Sequence, residues 1–333
     1  MKLWKNVLAL LLILSLAACG QAGADAESPS GEPETPPAEE PAPAPVTVRI
    51  GALKGPTAMG MANLAGMESY ELTLAGSADE LTPAFVKGDL DVICVPANLA
   101  SVLYNQTDGE VLCLAVNTLG VLYIVENGDT IHSMADLAGK TIAAAGKGST
   151  PEFGLRYLLA QNGLDPDAGV TIDWKSEHAE CVAALAAGTA SAALLPQPFV
   201  TVAQTKQDTL RVALDLTEEW EALDNGSAMI TGVAAIRRSF AEEHPEAVEL
   251  LRDDYAASVA WVNANPADAA ARIGELGILE AAVAEKALPY CNIVCMQGAE
   301  MESSLSGYLQ TLFDALPQSV GGALPGHDFY YGA

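Results

Sequence analysis

Basic residues are scarce: 16 Lys and Arg stand against 43 Asp and Glu, a formal net charge of −27 over 333 residues. Proteins bind polyanions largely by releasing counterions onto a cationic surface. The isolated pairs here, Lys2/Lys5 and Arg237–Arg238, make no such surface, so nucleic acid is a poor partner. Histidine is rarer still, with four residues at positions 132, 178, 244 and 327. Neither His-Glu-x-x-His nor Gly-x-Ser-x-Gly occurs, and the two best-marked hydrolase chemistries are left without a signature. A closed zinc site needs about four ligands, and no histidine stands near Cys291-Asn-Ile-Val-Cys295 to complete one. No catalytic residue, cofactor or metal is therefore expected.

Long apolar runs are also missing. Val7 to Leu16 falls short of the roughly 20 residues that cross a bilayer, and it ends in Leu16-Ala-Ala-Cys19 after Lys2 and Lys5. This pattern resembles a bacterial lipoprotein signal. The resemblance implies cleavage after residue 18, lipid on Cys19, and a protein exported and anchored to the outer face of the bacterial cell membrane. Residues 20–45 are nearly all Ala, Pro, Glu, Gly and Ser. Such a segment cannot repay its ordering entropy by burial and is expected to be an acidic tether of up to about 80 Å. Of the other cysteines, Cys94, Cys113 and Cys181 sit in apolar runs where a thiol acts as a small hydrophobe. A Cys94–Cys113 disulfide stays open only if their strands are neighbours.

What the chain does have is hydrophobic residues, at 50%, enough for a large core. Val46-Thr-Val-Arg-Ile50 alternates like a strand, breaks at Lys54-Gly-Pro-Thr57, and continues in helix-tolerant residues through Leu64. A helix starting there points unpaired N–H groups at the space above the strand end. The phrase recurs in Thr141-Ile-Ala-Ala-Ala-Gly146, Lys147-Gly-Ser-Thr150 and a helix from Glu152. A second pair, Ala84 to Pro96 and Ala184 to Pro196, repeats an alanine, a glycine and a proline at one constant offset. Two similar α/β lobes follow, rather than a solenoid.

Further strands are expected at Tyr70–Ala75, Leu90–Val95, Val111–Val116, Val121–Val125, Val170–Trp174, Ala192–Leu195 and Ser227–Ile236. Intervening helices favour parallel pairing by right-handed crossovers, with ligands at the carboxyl ends of the strands. Residues 218–224 read as an acidic loop. Ser239 to Val262 reads as one helix, followed by helices at Pro266–Leu276, Glu280–Leu288 and Met301–Leu316 and an irregular tail. The expected organisation is residues 1–18 signal, 19–45 tether, 46–123 lobe 1, 124–225 lobe 2, and 226–333 the helical return of lobe 1.

The segments Gly51 to Gly60, Met134 to Ile142, Gly146 to Glu152, Leu195-Pro-Gln-Pro198 and His244-Pro-Glu246 together resemble the substrate-binding lipoproteins of ABC importers. The resemblance is to the nitrate/sulfonate/taurine and thiamine-pyrimidine-precursor (NMT1/THI5-like) group. It implies a two-lobed type II periplasmic-binding-protein-like fold of the α/β class, each lobe a mainly parallel sheet flanked by helices. It also implies a monomer that captures a small organic molecule and passes it to an ABC transporter permease. The alternatives are a ligand-sensing partner of a membrane receptor and a pyrimidine-synthase-like enzyme.

Four loops would then line the cleft. The first supplies Lys54, Gly55, Pro56, Thr57, Ala58 and Met59; the second, Pro96, Ala97 and Asn98; the third, Gly148, Ser149, Thr150, Pro151 and Glu152; the fourth, Gln197 and Pro198. Thr118 joins them at the passage between lobes. Thr57, Ser149 and Thr150 are the leading hydroxyl donors, which also suit plain helix capping. Asn98 and Gln197 would read a carbonyl or amide. Lys54 and Lys147 favour an anion if turned inward; Glu152 favours an amine if inward, though an acid in a first helical turn also serves the dipole. Met59, Tyr123, Phe153 and Phe199 are the candidates for stacking on a heterocycle.

Overall fold

The computed structural model describes residues 46–333; the expected signal, Cys19 and the tether lie outside the described residues. The first sheet contains β1 (Val48–Leu53), β2 (Tyr70–Ala75), β3 (Val92–Pro96), β4 (Val111–Leu119), β10 (Ile230–Arg237) and β11 (Ile293–Met296) in the order β11-β4-β10-β3-β1-β2. The second contains β5 (Leu122–Asn127), β6 (Thr141–Ala145), β7 (Thr171–Lys175), β8 (Ala192–Pro196) and β9 (Leu210–Asp215) in the order β7-β6-β8-β5-β9.

Most strands of each sheet run one way. β1 pairs in parallel with β2 and β3, and β6 with β7 and β8. The exceptions include the strands entered from the other sheet. β5 follows β4 directly and runs against β8 and β9, and β10 follows the second sheet's last elements and runs against β3 and β4. A chain that arrives at the carboxyl edge of a sheet has to run away from it. The reversed strands β5 and β10 are thus the topological marks of the crossings, while β11, also reversed, closes the edge beside β4. At the first crossing Gly120 has no substitute, because a Cβ there would lie 2.1 Å from Thr217 Oγ1.

Several expected elements are corrected. The helix α1 is only Pro56–Met59, not a run to Leu64. Beyond it Ser258 of α9 (Pro245–Ala264) takes over the backbone, donating to Gly60 O at 2.8 Å and accepting from Asn63 N at 3.2 Å. The single helix expected from Ser239 to Val262 is two, α8 (Arg238–Glu243) and α9, because Pro245 has no N–H to continue the ladder. The strand Leu210–Asp215 escaped notice although Leu210, Val212 and Leu214 alternate. The acidic loop is instead the helix α7 (Leu216–Glu221), started by Asp215, whose carboxylate accepts from Thr217 N at 2.8 Å. Cys94 and Cys113 lie on strands that β10 separates, and both are free thiols, so the disulfide reading falls.

Helices cover both sheets: α2 (Ala78–Lys87), α3 (Ala97–Gln106), α4 (Thr150–Gln161), α5 (His178–Ala186), α6 (Phe199–Lys206), α10 (Pro266–Glu275), α11 (Ala281–Ala287) and α12 (Gly298–Ala315). One hydrophobic cluster joins the sheets, with Ile93, Val116 and Val233 of the first and Ile124, Ile142 and Leu194 of the second meeting Leu305, Tyr308 and Leu312 of α12. Trp220 bridges it, its ring 4.8 Å from Tyr157 and 5.5 Å from Tyr308.

Below β1 and β3 lies a charge that the core has to neutralise. Asp91 is 1% exposed and accepts from Arg49 N, Nε and an Nη at 3.0, 2.9 and 2.6 Å. The pair is one-sided: Asp91 is buried, while the Arg49 side chain keeps 39% of its surface exposed. Asp91→Ala is expected to lower unfolding free energy by about 2 kcal/mol in urea titrations, the loss of these charge-assisted hydrogen bonds, since the exposed part of the Arg49 side chain stays solvated, against under ~0.5 kcal/mol for substitution of the exposed Asp208.

Candidate functional site

The carboxyl ends of β1, β3, β6 and β8 each lead into a helix, and the four nominated loops are these junctions. Two of them touch. Asn98, in the first turn of α3, donates through Nδ2 to Ser319 O at 2.9 Å and Gly148 O at 3.4 Å. Its Oδ1 accepts from Thr150 Oγ1 at 3.4 Å. Asn98 and Thr150 are both fully buried. The N-termini of α3 and α4, one from each sheet, therefore meet end to end.

Neither end carries a side-chain cap. Pro96 precedes α3 and has no side-chain acceptor, while Ser149 turns its hydroxyl back to donate to Gly146 O at 2.7 Å. Helix N-termini have four N–H groups without intrahelical partners and a partial positive charge, so two facing ends concentrate donors at one point. Glu152 answers part of this: its Oε2 accepts from Gly148 N at 2.6 Å. Tyr308, also fully buried, turns its hydroxyl toward Thr150, and burial raises its pKa. Asn98, Thr150 and Tyr308 thus form a buried polar group whose outer edge is the exposed Gly148.

The first loop forms a second group. Thr57 Oγ1 donates to Leu53 O at 2.9 Å. Its methyl lies against Gly232, where a Cβ would be 3.0 Å from Thr57 Cγ2, 3.2 Å from Thr118 Cβ and 2.6 Å from Asn117 Oδ1. Asn117 is the bulged residue between the pairs Gly232–Thr118 and Val233–Val116, and a bulge re-aims a side chain. Thr118 Oγ1 donates to Asn117 Oδ1 at 3.0 Å, leaving the buried Asn117 Nδ2 without an acceptor. Sequence reading passed over Asn117 because only the register reveals the bulge.

Other nominated residues are placed differently. Ala58 and Met59 are wholly buried in the first sheet's core, Ala97 is buried as the first residue of α3, and Tyr123 packs in the second sheet's core. Gly55 is the N-cap of α1 with φ 148, a conformation suited to glycine, and Pro56 follows it. Lys54 and Lys147 are exposed, and Pro96 and Pro151 half-buried. Gln197 is turned onto its own helix, accepting from Thr201 Oγ1 at 2.9 Å, beside buried Pro198. His178, outside all four loops, lies at the same edge because β7 runs parallel to β6. Its ring packs 4.9 Å from that of Phe199.

Two lobes, each opening helix ends toward the other, define an α/β solute-binding protein of the two-lobed periplasmic type. A match to the ABC transporter, phosphonate, periplasmic substrate-binding protein family spans residues 55–249, and the chain belongs to that family. It works outside the cytoplasm, capturing a small solute and delivering it to an ABC transporter permease. Among solved structures, an ABC transporter protein from Parabacteroides distasonis shares 22% identity, covering 86% of this chain and 98% of its own, with a TM-score of 0.72. The periplasmic aliphatic sulphonate-binding protein SsuA from Escherichia coli shares 19%, covering 84% and 96%, with a TM-score of 0.68. The alkanesulfonate-binding SsuA from Xanthomonas axonopodis pv. citri, bound to MOPS, shares 20%, covering 86% and 96%, with a TM-score of 0.66. No curated protein sequence matches the chain significantly. Among the described residues no helix is long and apolar enough to cross a membrane.

His178 supplies a pH dependence. It is partly exposed as a residue, yet its Nδ1 is closed off without a partner, and desolvation lowers the pKa from 6.5 to about 4. Between those values the unfolded chain binds more protons, so this contribution is full above pH 6.5 and is lost as pH falls toward 4. In paired urea titrations at pH 7 and 4.5, His178→Phe should lose about 2 kcal/mol less stability than the wild type.

Proposed function

We propose that the cargo is a small organic oxoanion of the phosphonate or sulfonate type, held where α3 and α4 meet. The observation that carries this reading is the convergence of two uncapped helix N-termini at Asn98 and Thr150. The family description and the position of Glu152, a carboxylate already resting on the Gly148 amide, support it. Gly148, Ser149 and Thr150 would hold the oxoanion, Thr57 and Thr118 would meet the remainder of the cargo, and Glu152 would swing aside.

Residues 46–123 and 226–333 are assigned to one lobe and 124–225 to the other, in keeping with the strand order. The monomeric state, the signal over residues 1–18, the lipid on Cys19 and the tether to residue 45 belong to the same proposal, supported by the run from Val7 to Cys19 and the Pro- and Glu-rich stretch after it. The narrower kinship with the nitrate/sulfonate/taurine and thiamine-pyrimidine-precursor group rests on the loop motifs Gly51 to Gly60 and Gly146 to Glu152.

Calorimetry with methylphosphonate and methanesulfonate tests the reading. Thr150→Ala should weaken binding roughly tenfold by removing one hydrogen bond to a charged group. Glu152→Gln should tighten it roughly threefold, because a competing negative charge leaves the helix end. Absence of binding by every small phosphonate and sulfonate, to a folded protein, would overturn it.

A further inference from the structure

The chain crosses between the two sheets twice, and the two crossings are held in different ways. At the first, Asn292 grips the backbone from both sides: Leu119 N donates to Asn292 O at 3.1 Å, and Asn292 Nδ2 donates to Gly120 O at 2.5 Å. Gly120 is buried against Thr217, so this crossing has little room to move. The second crossing, residues 222–229, is a loop in which Ala222, Asp224, Gly226 and Ala228 are exposed. From Asn225 to Ser227 it is tied down by side chains.

Ser227 is the hub of these ties. Its hydroxyl donates to Asn225 Oδ1 at 2.9 Å and accepts from Trp220 Nε1 and Thr311 Oγ1, each at 3.1 Å. One proton and two lone pairs are all that a serine hydroxyl has, so the group is saturated. Thr311 shares its own proton with Gly307 O at 3.0 Å. Asn225 carries the tie onward, donating through Nδ2 to Tyr157 Oη at 3.1 Å. Thr311 stands on α12, which packs on β4, and Tyr157 on α4, which follows β6. One chain of bonds, Thr311–Ser227–Asn225–Tyr157, therefore runs from a helix of the first sheet to a helix of the second. Water reaches it along a groove of about 310 Å³ lined by Tyr157, Gln161, Asn225, Thr311 and Asp314. Each bond can be exchanged for one to water, which keeps its net contribution small.

We infer that this chain is a latch across the second crossing, and that Ser227 is a positioning residue for capture, keeping the starts of α3 and α4 in contact without touching the cargo. With the first crossing gripped by Asn292, parting Asn98 from Thr150 moves α4 relative to α12 and breaks the chain at one of its links. The links act in series, so cutting either one releases both sides. A bond that exists only while the two borders meet biases the equilibrium toward contact by its own net contribution. Entry and release of a solute each require the latch to open.

The test is hydrogen exchange on the protein without cargo, followed in peptides covering residues 96–99 and 147–152, with the slowest amides of β4 as the measure of global unfolding. In the wild type the two junctions should exchange faster than those β4 amides and slower than an unstructured peptide. Thr311→Val and Tyr157→Phe each remove one link and keep size and shape. Each should quicken exchange at both junctions about fivefold, the equivalent of one hydrogen bond of about 1 kcal/mol. The double variant should exchange there no faster than either single one, because a severed series has nothing further to lose, and Ser227→Ala should match it. A bond with a purely local role would instead quicken the β4 amides and residues 222–230 while leaving the junctions unchanged, and that result overturns the inference. So do junction effects of the two links that add. Wild-type junctions as slow as β4 overturn it, since the borders then never part short of unfolding; junctions as fast as an unstructured peptide overturn it because nothing then holds them together. No cargo enters the measurement, so its outcome is separate from that of the oxoanion reading.

Discussion

Strand direction governs this protein. Each sheet is built so that most of its strands end at the same edge, and every helix entered from such a strand begins there. The N–H groups that a helix leaves unsatisfied in its first turn are therefore gathered at one border of each sheet. Two chain crossings bring the two borders face to face, and the reversed strands β5 and β10 are the geometric consequence of entering a sheet from that border. Asn98 and Thr150 are the point where the gathered donors of both sheets come within reach of one another. The wide packing beneath, from Ile93 through Tyr308 to Ile142, holds the two borders in register, because a shared close-packed core resists sliding far more than a flexible linker would.

The parts of the fold that were legible in the sequence are those where local chemistry and tertiary structure agree. Glycine and proline punctuate the cradle loops, and the capping pattern Ser133 to Asp136 is realised with both reciprocal bonds, although the segment is a 3-10 turn. The twofold recurrence of Lys-Gly-x-Thr does mark two equivalent strand-to-helix junctions. Where reading failed, a partner distant in sequence had decided the outcome. Ser258 lies far along the chain from Gly60, yet it ends α1 by taking the carbonyl that another helical turn would need. Leu210–Asp215 is half-exposed along much of its length, so its alternation is diluted by Arg211 and Ala213, and only pairing with β5 makes it a strand.

The site divides in the same way. Thr150 and Asn98 could be named because a hydroxyl and an amide at helix starts are visible in one dimension. That they bond to each other could not, since it depends on the crossings. Gln197 looked equivalent to Asn98 but has a threonine four residues on, and the local bond to Thr201 captures it. Asn117 shows the opposite case. Read alone it is a polar residue at the end of an apolar strand. Its orphaned amide follows from a bulge opposite Gly232, which neither strand announces by itself.

A chain with a net charge of −27 can still present an anion with a favourable environment, because the two effects act over different distances. Exposed carboxylates are screened over about 8 Å at physiological ionic strength, and many of them here, such as Glu242, Glu243 and Asp253, project into solvent from outer helices. Helix-end amides act at hydrogen-bond range, where the intervening solvent that screens distant charges is absent. The acidic residue that matters locally is Glu152, and it sits on the Gly148 amide as a tethered anion. An entering oxoanion would exchange one charge for another at the same donors rather than bring a charge to an empty site. The surface charge and the site chemistry are thus separate properties: the first keeps the domain soluble and away from anionic headgroups, while the second is set by which backbone N–H groups the topology leaves unpaired.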